Sequence, residues 1–146
     1  RVFLIWRKMM TQEIEIKQSK EAISVVKKNG TEVHYFLYPE FEVHTNKIPA
    51  GSIQDWHCHH QIEEVIVVTS GKISVETIEN EKIETREVNQ GDVLRVKNSI
   101  HRLVNRNRES ASFIVFRFVP QGIDQAHIIK NDKCDCEELV KTILKS

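Results

Sequence analysis

The chain has 146 residues, 40% of them apolar and 29% charged, which marks a globular chain rather than a disordered one. Lys plus Arg and Asp plus Glu both number 21, so the formal net charge is zero. With no basic excess to hold a polyanion, nucleic acid is not an expected partner.

The apolar opening, Val2-Phe3-Leu4-Ile5-Trp6, is far too short to span a membrane and shorter than a secretory core, and no small-residue cleavage site follows it. Either a start at Met9 or Met10 makes these residues upstream additions, or they form an edge strand or dimer-contact arm. No membrane partner and a cytoplasmic setting are expected, and three cysteines, an odd number, give no disulfide framework. Residues 23–28 and 31–38 flank Asn29-Gly30, a strong hairpin signal; a short helix over 19–28 ended by Gly30 is the alternative. Residues 41–48 alternate Phe41, Val43 and Thr45 against Glu42, His44 and Asn46, as an antiparallel strand does.

Further β-rich runs cover 64–69, 72–78, 82–88, 92–96, 101–105 and 112–119, with breaks at Gly71, Gly91 and 107–110. The charge-rich stretch from Glu79 to Glu87 mixes both signs and reads as solvated strand edge and turn. About eight short strands without alternating helices predict an all-β sandwich or barrel. Near the C-terminus, Leu139, Val140, Ile143 and Leu144 share one helical face, so a short helix over about 135–145 is expected on the outside of the barrel. The expected organisation is a single domain over 1–146, its barrel core at about 31–120.

The chemistry concentrates between Gly51 and Asn105. On a strand His57 and His59 point one way and Cys58 the other; a carboxylate follows at Glu63 or Glu64, and His101 comes after Gly91. Imidazole nitrogen with carboxylate oxygen suits first-row divalent ions. The other histidines, His34, His44, His60 and His127, read as ordinary core residues, and His60 lies off the ligand face. Arg95 and Arg117 lie in strands and could anchor an anionic substrate, though strand arginines more often sit on a sheet surface. Cys134-x-Cys136 is a lone pair without the second pair a zinc knuckle needs. No Ser-His-Asp arrangement, phosphate loop or nucleotide fingerprint is present.

With these residues in place the sequence resembles the cupin superfamily. The first cupin motif, G(X)5HXH(X)3-4E(X)6G, is matched by Gly51, His57, His59, Glu64 and Gly71, and the spacing to Gly71 selects Glu64 over Glu63. The second, G(X)5PXG(X)2H(X)3N, is matched in type by Gly91, His101 and Asn105. It departs in three ways: Lys97 stands where proline is usual, Ser99 where glycine is usual, and the turn before His101 is one residue shorter. The resemblance implies an all-β double-stranded β-helix (jelly-roll barrel) with a metal held by His57, His59, Glu64 and His101. The cofactor would be one divalent transition metal, Fe, Mn, Ni, Cu or Zn, with two octahedral positions open. The pocket wall would be apolar, drawn from Ile66, Val68, Leu103 and some of Phe113, Phe116 and Phe118, with Trp56 either at the mouth or facing outward over another strand. The implied partners are a small-molecule ligand or substrate and a second copy in a homodimer. A dioxygenase-type oxidoreductase acting on an oxygen-chelating substrate is the leading function; a metal-dependent sugar or keto-acid isomerase and a non-enzymatic binding or sensing cupin are the alternatives.

Overall fold

A computed structural model describes residues 14–120 and 125–145; the expectations placed on Val2 to Met10 lie outside the described residues. After a 3₁₀ turn at Ser19–Glu21 the strands are β1 (Ile23–Val26), β2 (Glu32–Leu37), β3 (Phe41–Ile48), β4 (His57–His59), β5 (Glu63–Ser70) and β6 (Lys72–Glu79). They continue as β7 (Lys82–Asn89), β8 (Val93–Arg95), β9 (His101–Val104) and β10 (Ala111–Phe118), then helix α1 (Ala126–Asn131), β11 (Lys133–Asp135) and helix α2 (Glu137–Lys145). One sheet runs β1-β2-β3-β10-β5-β8 and the other β11-β4-β9-β6-β7. Two antiparallel sheets face each other as a jelly roll, with the expected helix at the C-terminal end.

Strand alternation builds the core. On β5, Glu64, Ile66 and Val68 are buried, and on β10, Ala111, Phe113 and Val115. The β10–β5 register sets Phe113 opposite Val68 and Val115 opposite Ile66, so the apolar rows stack. They pack against Ile73, Val75 and Leu103 of the other sheet. Burying Phe113 alone contributes roughly 1.5–3 kcal/mol. Only one end of the interior is filled in this way, which leaves the other end free for polar chemistry.

Turn chemistry fixes these registers. Gly71 has φ +71° between β5 and β6, and a Cβ there would stand 3.2 Å from the Ser110 carbonyl oxygen. A glycine meets both demands because it has no Cβ. Asn80 and Glu81, both at positive φ, make the two-residue turn of the β6–β7 hairpin. The mixed charges of β7 lie on a largely exposed edge strand, where they discourage pairing with another chain.

Some expectations hold and others are corrected. The Asn29-Gly30 hairpin forms, and the alternative helix reduces to the 3₁₀ turn. On β3 the polar residues Glu42, His44 and Asn46 face inward with Ile48. Phe41, Phe116 and Phe118 cluster on the outer side, so of the three candidate wall phenylalanines only Phe113 is inside. Both β1 and β11 join the sheets from beyond the expected 31–120 core. In α2 only Val140 is buried; Leu139 and Leu144 are exposed. No described helix is long and apolar enough to cross a membrane.

Candidate metal centre

The site straddles both sheets. His57 and His59 leave β4 on the inner face, and His57 pairs directly with His101 of β9, so the five-stranded sheet contributes three imidazoles. Their ring nitrogens lie within 4.8 Å of one another. The opposite sheet contributes Glu64, whose Oε2 is 3.3 Å from His59 Nε2 and whose Oε1 is 3.9 Å from His101 Nε2. All four side chains are buried. Glu63 turns outward into a two-pronged ion pair with Arg95, which leaves Arg95 on the surface as expected.

The departures in the second motif have a structural reason. Lys97 adopts φ +53°, a value closed to proline, whose ring locks φ near −65°. The Ser99 amide and hydroxyl both donate to the Val96 carbonyl, which tightens the turn and offsets the missing residue. His101 therefore still arrives opposite His57. Asn105, the last motif residue, is fully buried and donates to the carbonyls of Ile48 and Glu109; it holds the loop into β10 rather than entering the site.

Second-sphere contacts set the tautomers. His57 Nδ1 lies 2.8 Å from the Asp55 carbonyl and His101 Nδ1 lies 2.9 Å from the Ser99 carbonyl. A carbonyl only accepts, so Nδ1 carries the proton and Nε2 presents its lone pair to the interior. Burial first, then the nearby His101, pushes the His57 pKa down to about 3; burial likewise lowers that of His101. Both rings are therefore neutral near pH 7, the form a metal requires.

Arg117 was expected on the sheet surface, yet it lies inside. It shares the inner face of β10 with Phe113 and Val115, opposite Glu42 of β3 and Glu64 of β5, so one row across three strands reads carboxylate, guanidinium, carboxylate. Its Nε donates to Glu64 Oε2, and its Nη1 is 3.8 Å from Glu42 Oε1. Burial works to raise the Glu64 pKa, but Arg117 and the adjacent His59 outweigh it and hold the carboxyl below its usual range. Glu42 is raised, by burial first. Continuing the alternation from Phe113 would have placed Arg117 inward; its charge argued otherwise, because one strand does not show the two carboxylates that solvate it.

The remaining histidines divide. His34, His60 and His127 are exposed rather than core residues. His44 is buried, and its pKa is pushed down to about 3 by burial and then by Arg117. Its Nδ1 accepts from the Asn46 side-chain amide at 2.9 Å, and Nε2 faces Glu42 Oε1 at 3.5 Å without a hydrogen bond. His44, His57, Glu64 and Arg117 line a cavity of about 930 Å³ whose deeper wall includes Ile66, Leu103 and Phe113. Lys27, Lys28, Lys130 and Lys133 also line it. Trp56 is not at the mouth: it is buried on the outer side with Val140, beneath α2.

The donor chemistry fits a cation. Among the described residues, both ring nitrogens of His59 and Nε2 of His101 are buried without a hydrogen-bond partner, an arrangement that costs stability unless something fills it. Two buried carboxylates also face a single guanidinium, leaving surplus negative charge. His57, His59 and His101 could hold an ion.

A family model described as a cupin domain matches residues 44–117, half of the chain and all of the motif residues from Gly51 to Asn105. The chain is a cupin. No curated protein matches it. Among solved structures, it is similar to the polyketide cyclase RemF from Streptomyces resistomycificus at 14% identity and TM-score 0.60, covering 77% of this chain and 85% of that one. Peruvianin-I, a cysteine peptidase from Thevetia peruviana latex, aligns at 13% identity and TM-score 0.59 over 71% of each chain. An oxalate oxidase in complex with glycolate aligns at 15% identity and TM-score 0.57, over 76% of this cupin and 63% of the oxidase. At such identities the likeness is one of fold, and a cyclase, a peptidase and an oxidase on one barrel show how little fold restricts function.

Proposed function

We propose that this cupin binds one divalent transition metal through His57, His59, Glu64 and His101, and acts on a small, anionic, oxygen-chelating substrate as a dioxygenase-type oxidoreductase. The observation that carries the reading is the group of buried imidazoles gathered around Glu64, with His59 and His101 nitrogens lacking hydrogen bonds, beside a cavity that His57 and Glu64 line. Such a metal supplies Lewis acidity and, for a redox-active ion, one-electron chemistry with dioxygen. The protein contributes the rest. Tautomers fixed by Asp55 and Ser99 aim two nitrogens inward, and Arg117 orients the Glu64 carboxylate as an outer-shell partner does. Lys27, Lys28, Lys130 and Lys133 draw an anion towards the cavity, and Ile66, Leu103 and Phe113 exclude water around it.

A second reading, metal-dependent isomerisation of a sugar or keto acid, is favoured by one residue. His44 is neutral near pH 7; the Asn46 side-chain amide donates to its Nδ1, so Nε2 carries the proton and can donate it to a substrate carbonyl oxygen as an isomerase electrophile does. The test is metal analysis of protein purified without added metal, followed by oxygen uptake with enol-type acids. Iron, copper or nickel with substrate-dependent uptake supports the oxidoreductase. Deuterium entering the substrate from D₂O without oxygen use selects the isomerase, and tight ligand binding with neither signal selects a binding module. Metal-free protein that takes up no ion at this site would sink the reading.

A further inference from the structure

The outer face of β4 carries a second set of metal-type donors. Alternation turns Cys58 away from the barrel, and His60 follows it at the next outward position. The β11–β4 register sets Cys134 directly opposite Cys58, and Cys136 lies two residues beyond Cys134. The lone Cys-x-Cys near the C-terminus thus meets a Cys-x-His on the neighbouring strand, which is the second pair that it lacked in the sequence. All three cysteines are free thiols.

The distances around Cys58 match those between ligands of one ion. Cys58 Sγ is 3.6 Å from His60 Nε2 and 3.6 Å from Cys136 Sγ. The ligand atoms of Cys58, His60 and Cys134 all lie within 4.8 Å of one another; Cys136 joins that group through Cys58, and its thiol has to turn towards the other two to complete a fourfold set. Around a tetrahedral zinc, with Zn–S near 2.3 Å and Zn–N near 2.0–2.1 Å, neighbouring sulfurs stand about 3.8 Å apart and sulfur and nitrogen about 3.6 Å apart. Three thiols and one imidazole also form a soft donor set, unlike the nitrogen and oxygen donors inside.

The surroundings fit a clamp. The Asp132 carboxylate accepts from the amides of His60, Gln61 and Ile62, and Glu137 Oε1 accepts from the Trp56 amide at 2.6 Å. The C-terminal segment therefore grips β4 at both ends, with the four donors between. Cys58 and Cys136 are buried, Cys134 is half-buried and His60 is exposed, so an ion could enter from solvent on the His60 side.

We infer that Cys58, His60, Cys134 and Cys136 form a structural zinc site on the outer face of β4, fastening the C-terminal segment to the strand that carries His57 and His59. Four protein ligands close a tetrahedral zinc and leave no position for substrate. The site is separate from the inner centre and stands whether or not that centre holds metal.

Cobalt(II) titration of the metal-free full chain, under reducing conditions, tests the inference. Thiolate ligation gives sulfur-to-cobalt charge-transfer absorption in the near ultraviolet, which a histidine and carboxylate site does not. The expected result is this absorption in the wild type, its loss together with one equivalent of cobalt in Cys134→Ser and in His60→Ala, and its persistence in His101→Ala. Both outer variants alter side chains at or near the surface, and circular dichroism checks that they remain folded. No charge-transfer band in the wild type overturns the inference, as does a band unchanged in both outer variants. So does a band lost in His101→Ala, or a disulfide between Cys58 and either Cys134 or Cys136 in protein isolated with its thiols blocked.

Discussion

The inner and outer faces of β4 differ in chemistry over a stretch of four residues. Inward, His57 and His59 meet His101 and Glu64 in a buried site of nitrogen and oxygen donors, balanced by Arg117. Outward, Cys58 and His60 meet Cys134 and Cys136, a set rich in sulfur and open at one end to solvent. The inner residues come from strands of the two facing sheets; the outer ones depend on a C-terminal segment laid alongside β4. A period-two strand separates the two sets without any further device. One short strand thereby carries the interior site on one face and the proposed exterior clamp on the other.

The largest effect expected from perturbing one face alone comes from Arg117→Met. It leaves Glu64 and Glu42 buried without their cation, and breaking such a group costs about 3–5 kcal/mol. Urea unfolding of the metal-free variant should show that loss, and an added divalent ion should recover part of it by supplying positive charge at Glu64. The outer cobalt–thiolate signal should not change. Equal stability in metal-free variant and wild type would mean that the guanidinium does not neutralise the inner row.

Acid should also distinguish the faces, through His44. Its pKa is about 3 in the fold against roughly 6.5 in an unfolded chain. Between these values the unfolded chain binds a proton that the folded chain does not. Stability is thus complete above about pH 6.5 and falls as the pH drops from there towards 3. One such group contributes about 1.4 kcal/mol per pH unit inside that window. Denaturant midpoints of metal-free protein at pH 7, 6 and 5 should fall less steeply in His44→Gln by about that amount, and identical slopes would remove His44 as a cause.

The smallest effect is expected at the seam between the faces. Asp132→Ala strips the acceptor from three amides of the 60–62 turn and should cost about 1–3 kcal/mol. Because that turn links His59 to Glu64, inner metal affinity should also weaken, by about tenfold, as it does when outer-shell partners are removed. Isothermal titration measures the second effect; an unchanged affinity would show that the clamp does not govern the inner ligands.

Much of this was legible in the order of residues. Asn29-Gly30, Gly71 and the alternation along β5 and β10 are local signals, because turn chemistry and strand periodicity act over two to five residues. They located nearly every strand to within a residue or two and turned Glu64 inward and Glu63 outward. The alternation along β3 did not say which face points inward: Glu42 and Asn46 are polar, and only Arg117 on the paired strand makes theirs an interior face. β11 was not visible either: Lys133–Asp135 is too short for a periodic pattern, and its pairing with β4 joins residues more than seventy positions apart.

By itself, then, the sequence determined the cupin motifs, the two faces of β4 and the group of residues that could meet inside the barrel, since spacing fixes which side chains share a face. Tertiary structure alone decided that Arg117 turns inward between two carboxylates, that His44 lines the cavity, and that Cys134 and Cys136 lie against Cys58. Each of these depends on a countercharge or a partner strand that is distant in the chain, and no local pattern encodes the pairing that brings it near.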